Sequence, residues 1–448
     1  MGQQILIDLT MKSKKLYPVI GLATFSSPLE VGADRAEKVL SRFKEVLKGN
    51  NFRIIEVGDI GTPEESAQAG VKLYDNRVDV LLAIPVCWHE DYLLLDILED
   101  WNGPVFMWPQ PGMQTGALCG AQQNMAFLKR LGHTAEYTFG EVEDSSCIAK
   151  AIAFIRAAAI RKKMRHSKIG LLGHRVPGMT HTYPDEFSLK QSIGSRVVQL
   201  DLPELLEKSR KNQANSTKEL WKKVKSCAGK CLSKDSDGIY SITVYSLLKK
   251  LVEKHDLDAL AVGCYPQLMG KVCLAASLLA DEGVPLACEG DINGAVAMLI
   301  LSILSEGGIH NGDWLEPVDD ETVLFTHCGS GSFSLAKNRE EITLQPVRLM
   351  KQGVCAQFTS KPGPVTLLNL TPGKGDYTCG VLEGEALNTE MLFPGNPLRV
   401  RFEKSPLEIN DWIFETGLGH HWMAAYGNFS KEIKFLGKMN KNLNIVTI

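Results

Sequence analysis

At 448 residues the chain exceeds what one ordinary hydrophobic core holds, so two to three domains are expected. Hydrophobic residues at 44% and charged residues at 23% describe a globular protein and exclude disordered and fibrous classes. A formal net charge of −3 argues against a nucleic-acid partner, which requires a basic domain.

From residue 18 to 108 strand and helix patterns alternate. Residues 19–23 read as a buried strand, and 34–47 place apolar residues at 36, 39, 40, 43, 46 and 47 before Gly49, as a helix should. A strand follows over 52–57, then Thr62-Pro63-Glu64-Glu65, which combines an N-cap, a proline at the first helical position and the Glu of a capping box. Continuous apolar strands at 78–84 and 104–108 indicate a parallel sheet covered on both faces, and a long helix over 147–166 closes a first domain, 1–166.

A second βα series starts at 168–174. It continues through a strand at 196–202, a helix at 240–255, strands at 257–264 and 285–288, and a helix at 293–305, giving a second doubly wound domain, 167–337. The Lys/Arg-rich segment 208–234 inside it reads as a solvated helical face. After residue 337 the helical period stops. Alternating or β-branched runs at 365–370, 377–387 and 397–402, punctuated by Pro/Gly turns, predict a mainly β domain over 338–448, a small antiparallel barrel.

Of the eleven cysteines, Cys227 and Cys231 are separated by three residues and the rest stand singly, which fits reduced thiols and no zinc site. The longest central apolar run, 295–304, falls well short of the roughly 20 residues of a membrane span. No N-terminal segment combines the basic, apolar and small-residue parts of a secretory leader. The expectation is a cytoplasmic protein with no membrane partner.

Candidate functional residues lie at strand ends or tight loops, the usual homes of such groups. Glu289 follows a short buried strand in Cys-Glu-Gly-Asp. Asp313 lies in Gly-Gly-Ile-His-Asn-Gly-Asp-Trp, which reads as a loop. His327 ends an apolar run, and His420-His421 ends Thr-Gly-Leu-Gly-His-His-Trp. Taken alone, Asp291 reads as the cap of the helix that follows it. Carboxylate oxygen and imidazole nitrogen suit Mn²⁺ or another divalent cation such as Mg²⁺ or Co²⁺. Weaker candidates for holding a ligand are Trp88, His89, Trp108 and Gln110 at strand ends of the first sheet, and Arg175 and Tyr265 at strand ends of the second.

Glu289, the second acid two dozen residues on, and the Gly-Leu-Gly-His stretch near the C-terminus together resemble the L-fucose isomerase and L-arabinose isomerase superfamily. The resemblance covers most of the chain in outline, its specific residues falling after about position 285. It implies a metal-dependent aldose–ketose isomerase, usually with manganese, acting through a cis-enediol on a monosaccharide: L-fucose, an arabinose or a 6-substituted hexose such as sulfoquinovose. Glu289 and Asp313 would be both ligands and the proton-transfer pair, His420 a ligand, and His327 the further histidine of the arabinose branch. His421 would then fall among the substrate-binding residues. The resemblance also implies a closed homo-oligomer, a trimer or hexamer, in which the first domain of one subunit closes the site of another. A metal-dependent epimerase or aldolase using the same acids, or a non-catalytic sugar-binding relative, are the alternatives.

Overall fold

The computed structural model describes residues 15–211 and 215–448, so part of the basic segment 208–234 lies outside the described residues. The chain divides into two compact units, one of Leu16–Lys163 with Lys431–Lys441, the other of Met164–Ser430 with Asn442–Ile448.

The first unit is built on β1 (Val19–Phe25), β2 (Arg53–Ile60), β3 (Val80–Pro85), β4 (Val105–Met107) and β5 (Ala135–Tyr137), a parallel sheet in the order β2-β1-β3-β4-β5. β3 is buried along its whole length, as a central strand covered on both faces must be. The helix Ala36–Leu47 buries Ala36, Val39, Leu40, Phe43 and Leu47, the stripe read from sequence. The capping box at Thr62 forms: its side chain accepts from Glu65 N–H, and Glu65 Oε2 accepts from Thr62 N–H at 3.0 Å, starting the helix Pro63–Asp75. This unit also takes in the helix Ser430–Met439 from the far end of the chain. Phe435 packs edge-on to Phe154 at 5.4 Å, and Glu432 pairs with Arg156 at 3.0 Å.

Five strands open the second unit: β6 (Lys168–Leu172), β7 (Arg196–Leu200), β8 (Lys230–Cys231), β9 (Ala259–Val262) and β10 (Leu286–Ala287). Four of them make a parallel sheet, β10-β9-β6-β7. The remaining strands are β11 (His310–Pro317), β12 (Thr322–Thr326), β13 (Thr343–Gln345), β14 (Cys355–Gln357), β15 (Gly363–Pro372), β16 (Tyr377–Leu387), β17 (Leu398–Arg401), β18 (His421–Tyr426) and β19 (Leu443–Thr447). β14, β13 and β8 form a small separate sheet.

In the largest sheet the order β15-β18-β11-β12-β17-β16 closes through a β15–β16 pairing into an antiparallel barrel, with β19 added in parallel outside β16. Val323, Phe325, Leu367, Leu382, Val400 and Trp422 fill it. A mainly β C-terminal region was expected, but two barrel strands, β11 and β12, come from the stretch that sequence assigned to the second α/β domain. Residues 310–317 read as a loop because glycine and polar residues mask the alternation. Pairing on both sides makes them a strand, Asp313 facing Thr326 on one neighbour and His421 on the other. The helix Ile292–Ser305, apolar on every side, packs against β9 and β10 on one flank and β15 and β18 on the other. Among the described residues no helix is long and apolar enough to cross a membrane, and the eleven cysteines are free thiols.

Candidate metal and active site

Three neighbouring strands of the parallel sheet end on one side, where ligands of such folds gather. Beyond β10 comes Glu289, beyond β9 Tyr265, and beyond β6 Arg175. Glu289 holds a left-handed backbone, φ 66°. Asp256 and Glu306 share that conformation as helix C-caps, whereas Glu289 adopts it in the turn that follows a strand. Gly290 continues the turn at φ 70°, and a Cβ on it would lie 2.7 Å from the His174 carbonyl oxygen and 2.8 Å from Arg175 Cα. Only glycine admits so close an approach. Val176 N–H donates to the Glu289 carbonyl at 3.1 Å and locks the turn.

The barrel supplies the other groups. Because β18, β11 and β12 are adjacent, His421, Asp313 and the residue after Thr326, His327, sit side by side at one end. Trp422 points into the barrel, so alternation turns His421 outward toward Glu289. His421 is the hub. Its Nδ1 lies 2.8 Å from Asp291 Oδ2, and its Nε2 lies 3.1 Å from Glu289 Oε2 and 3.5 Å from Asp313 Oδ1. His327 Nε2 stands 3.9 Å from Glu289 Oε1. Two sets of donor atoms each lie within 4.8 Å of one another, Glu289-His327-His421 and Asp313-His420-His421, with His421 common to both.

Burial opposes charge on His421, but hydrogen bonds to Asp291 and Glu289 and the field of Asp313 outweigh it and push its pKa up to about 10. Burial likewise opposes ionisation of Glu289, yet the His421 hydrogen bond and the neighbouring imidazoles hold its carboxyl below the usual range. His420 and His181 are both lowered, by burial first and then by the positive charge of His421.

These residues fit a divalent cation. The donors are oxygen and nitrogen without thiolate, and Asp313 Oδ1 and His327 Nδ1 are buried yet make no hydrogen bond within the protein. A cation there would compete with the His421 proton. In cation-free protein the raised pKa stabilises the fold fully below pH 6.5, and that stability is lost as pH rises toward about 10. The melting temperature of chelated protein should therefore fall across this window and cation affinity should rise. A His421→Gln variant that melts with the same pH profile as the parent would contradict this.

Placement of the other sequence candidates differs. His420 is exposed at the rim, its ring 5.1 Å from His181. Tyr265 is half exposed and Arg175 partly buried. In the first unit Trp108 is a core residue, 1% exposed, edge-on to Phe43 at 4.9 Å and donating to the Gly140 carbonyl at 3.0 Å. His89 is fully buried, with Nδ1 3.2 Å from the Cys87 carbonyl and Nε2 2.7 Å from Asn124. Gln110 is buried too, donating to the Trp108 carbonyl. Trp88 keeps part of its surface exposed.

Two groups escaped the sequence reading. Asp291 does cap the helix, Oδ1 accepting from Gly294 N–H at 2.8 Å, but its other oxygen orients His421. A carboxylate behind an imidazole in this way fixes the ring's tautomer and direction. His181, on the loop after β6, had no motif to mark it.

No protein-family model matches the chain. Sulfoquinovose isomerases from Priestia aryabhattai and Priestia megaterium are each 27% identical to it over 448 residues, spanning 96% of this chain and 98% of the relative. The sulfoquinovose isomerase of Alkalicoccus urumqiensis is 26% identical over 369 residues, spanning 78% of this chain and 82% of its own. A solved periplasmic solute-binding protein from Actinobacillus succinogenes with bound D-allose is 10% identical at a TM-score of 0.19, too low to carry any argument about fold. Similarity to several sulfoquinovose isomerases, over nearly the whole chain in two of them, supports an aldose–ketose isomerase.

Proposed function

We propose that the chain is a divalent-metal-dependent aldose–ketose isomerase acting on a monosaccharide, with a 6-substituted hexose such as sulfoquinovose the favoured substrate. The observation that carries it is the convergence of two carboxylates, Glu289 and Asp313, on His421 Nε2 at 3.1 and 3.5 Å. The names of the relatives support the substrate class.

When bound, a cation such as Mn²⁺ polarises the sugar carbonyl and the adjacent hydroxyl. Of the two carboxylates, one carries the proton from C2 to C1 through a cis-enediol, and the other passes the O2 proton to O1. The pair can do both because their surroundings differ: Glu289 accepts a hydrogen bond from His421, while Asp313 Oδ1 accepts none. Asp291 keeps the His421 ring aimed at them. We assign the distal part of the sugar to Arg175 and Tyr265, which follow β6 and β9, since a guanidinium suits an anionic substituent. A panel of aldoses assayed for ketose tests the reading. Chelated protein should lose turnover and regain it with Mn²⁺ more than with Zn²⁺, and full turnover in protein verified free of metal would remove the reading.

We also propose a closed homo-oligomer, a trimer or hexamer, with the strand-end segment around Trp88 serving a neighbouring subunit's site. Mixing Trp88→Ala with Glu289→Gln protein should restore part of the activity that each lacks. No recovery despite proven subunit exchange would leave Trp88 without that role.

A further inference from the structure

Asn369, on β15, is buried at 3% exposure, and its amide is fully engaged. Nδ2 donates to the Gly419 carbonyl at 2.8 Å and to the His421 carbonyl at 2.7 Å. Oδ1 accepts from Thr371 Oγ1 at 2.8 Å and from Gly419 N–H at 3.3 Å. The reverse orientation would set the amide oxygen against both carbonyls, so these partners fix which way it points. Only an amide of this length gives two hydrogens and two lone pairs at once: an ionised aspartate has no hydrogen for the carbonyls, and leucine serves none of the partners. The clamp lies where the backbone ladder between β15 and β18 runs out, its last pair being Leu368 with Met423. Beyond that pair the carbonyls of Gly419 and His421 go to Asn369, while the carbonyl between them, that of His420, accepts from Trp314 N–H of β11 at 2.9 Å. Successive carbonyls bonded to alternate neighbours hold the chain extended through His420, and adjacent side chains of an extended chain take opposite faces.

We propose that Asn369 is a positioning residue: by clamping the backbone of 419–421 it turns His421, and not His420, toward Glu289 and the cation. The division of labour is clear from the contacts. Asp291 Oδ2, 2.8 Å from His421 Nδ1, aims the ring, and Asn369 sets the backbone that carries it. The preceding stretch, Gly417-Leu418-Gly419, has two glycines and therefore little stiffness of its own. Once the clamp is removed, two buried carbonyls lose their donor and the stretch is free to twist, which swings the two histidines together and takes His421 Nε2 away from Glu289 and Asp313.

This rests on the reading of His421 as a cation ligand, and the test separates the two. Asn369→Leu keeps the volume and loses every bond of the clamp; Asn369→Asp, which keeps the bonds from Thr371 and Gly419 N–H, is the second variant should the first not fold. In the full-length protein, titration with Mn²⁺ should give each variant a dissociation constant at least about tenfold above the parent's, the loss usual when an outer partner of a ligand is removed. At saturating Mn²⁺ the KM for the sugar should stay at the parent's value, because Asn369 acts on the ligand and not on the sugar. Combined with His421→Ala, Asn369→Leu should add less than roughly twofold, since nothing is left to position, whereas a general loss of stability would add in full. Folded Asn369 variants that bind Mn²⁺ as the parent does, or a full additive loss in the His421→Ala background, would overturn the proposal and leave the ligand reading standing. A His421→Ala protein that binds Mn²⁺ like the parent would bring down both.

Discussion

Glu289→Gln is expected to lower ketose formation by roughly 10²-fold or more, the usual contribution of a positioned proton-transfer group. The amide keeps the size of the side chain and one coordinating oxygen, so the fold and much of the cation site should survive while the base is gone. The position allows little compensation: Glu289 sits on a left-handed turn pinned through Val176 N–H, and its two oxygens face His327 and His421. The decisive readout is exchange of the substrate's C2 deuterium with solvent. Exchange at the wild-type rate in the variant would show that Glu289 is not the base. Asp313→Asn, tested in parallel, distinguishes which carboxylate acts at carbon.

His421→Ala should have the broadest effect of any single change. It removes the one side chain shared by both donor sets and leaves Glu289, Asp291 and Asp313 without their common partner. In the cation-free protein, stripping one partner from so buried a network costs about 3–5 kcal/mol. Mn²⁺ affinity should fall at least 10²-fold, more than the ~10–100-fold seen when only an outer hydrogen-bond partner of a ligand is lost. His420→Ala, at the exposed rim, should stay within tenfold of wild type. Calorimetric titration of the two variants separates them, and a His421→Ala protein that binds Mn²⁺ as tightly as wild type would refute the assignment.

That contrast also shows where the sequence stops being legible. Glu289 could be found because a short apolar strand followed by glycine must end in a turn, and His327 because an apolar run stops there. The parallel sheets were readable for the same reason, their strands being apolar throughout. The resemblance favours His420, and the choice of His421 proposed here was not readable. It depends on which residue begins β18 and hence which face each side chain takes, and barrel pairing sets that register. β11 stayed hidden because Gly312 and its polar neighbours carry no alternating apolar signal, their ladder partners lying on β12 and β18. Asp291 was legible as a cap because the cap is local. Its bond to His421 spans 130 positions and has no local trace.

The most direct test of the central claim follows an aldose deuterated at C2, sulfoquinovose first, with protein verified metal-free and then resupplied with Mn²⁺. The account predicts no ketose without the cation, and ketose with deuterium moved to C1 or lost to solvent once Mn²⁺ is present. Ketose formed at the full rate by the metal-free protein would contradict it, and so would a product of the Mn²⁺-loaded protein in which C2 keeps its deuterium.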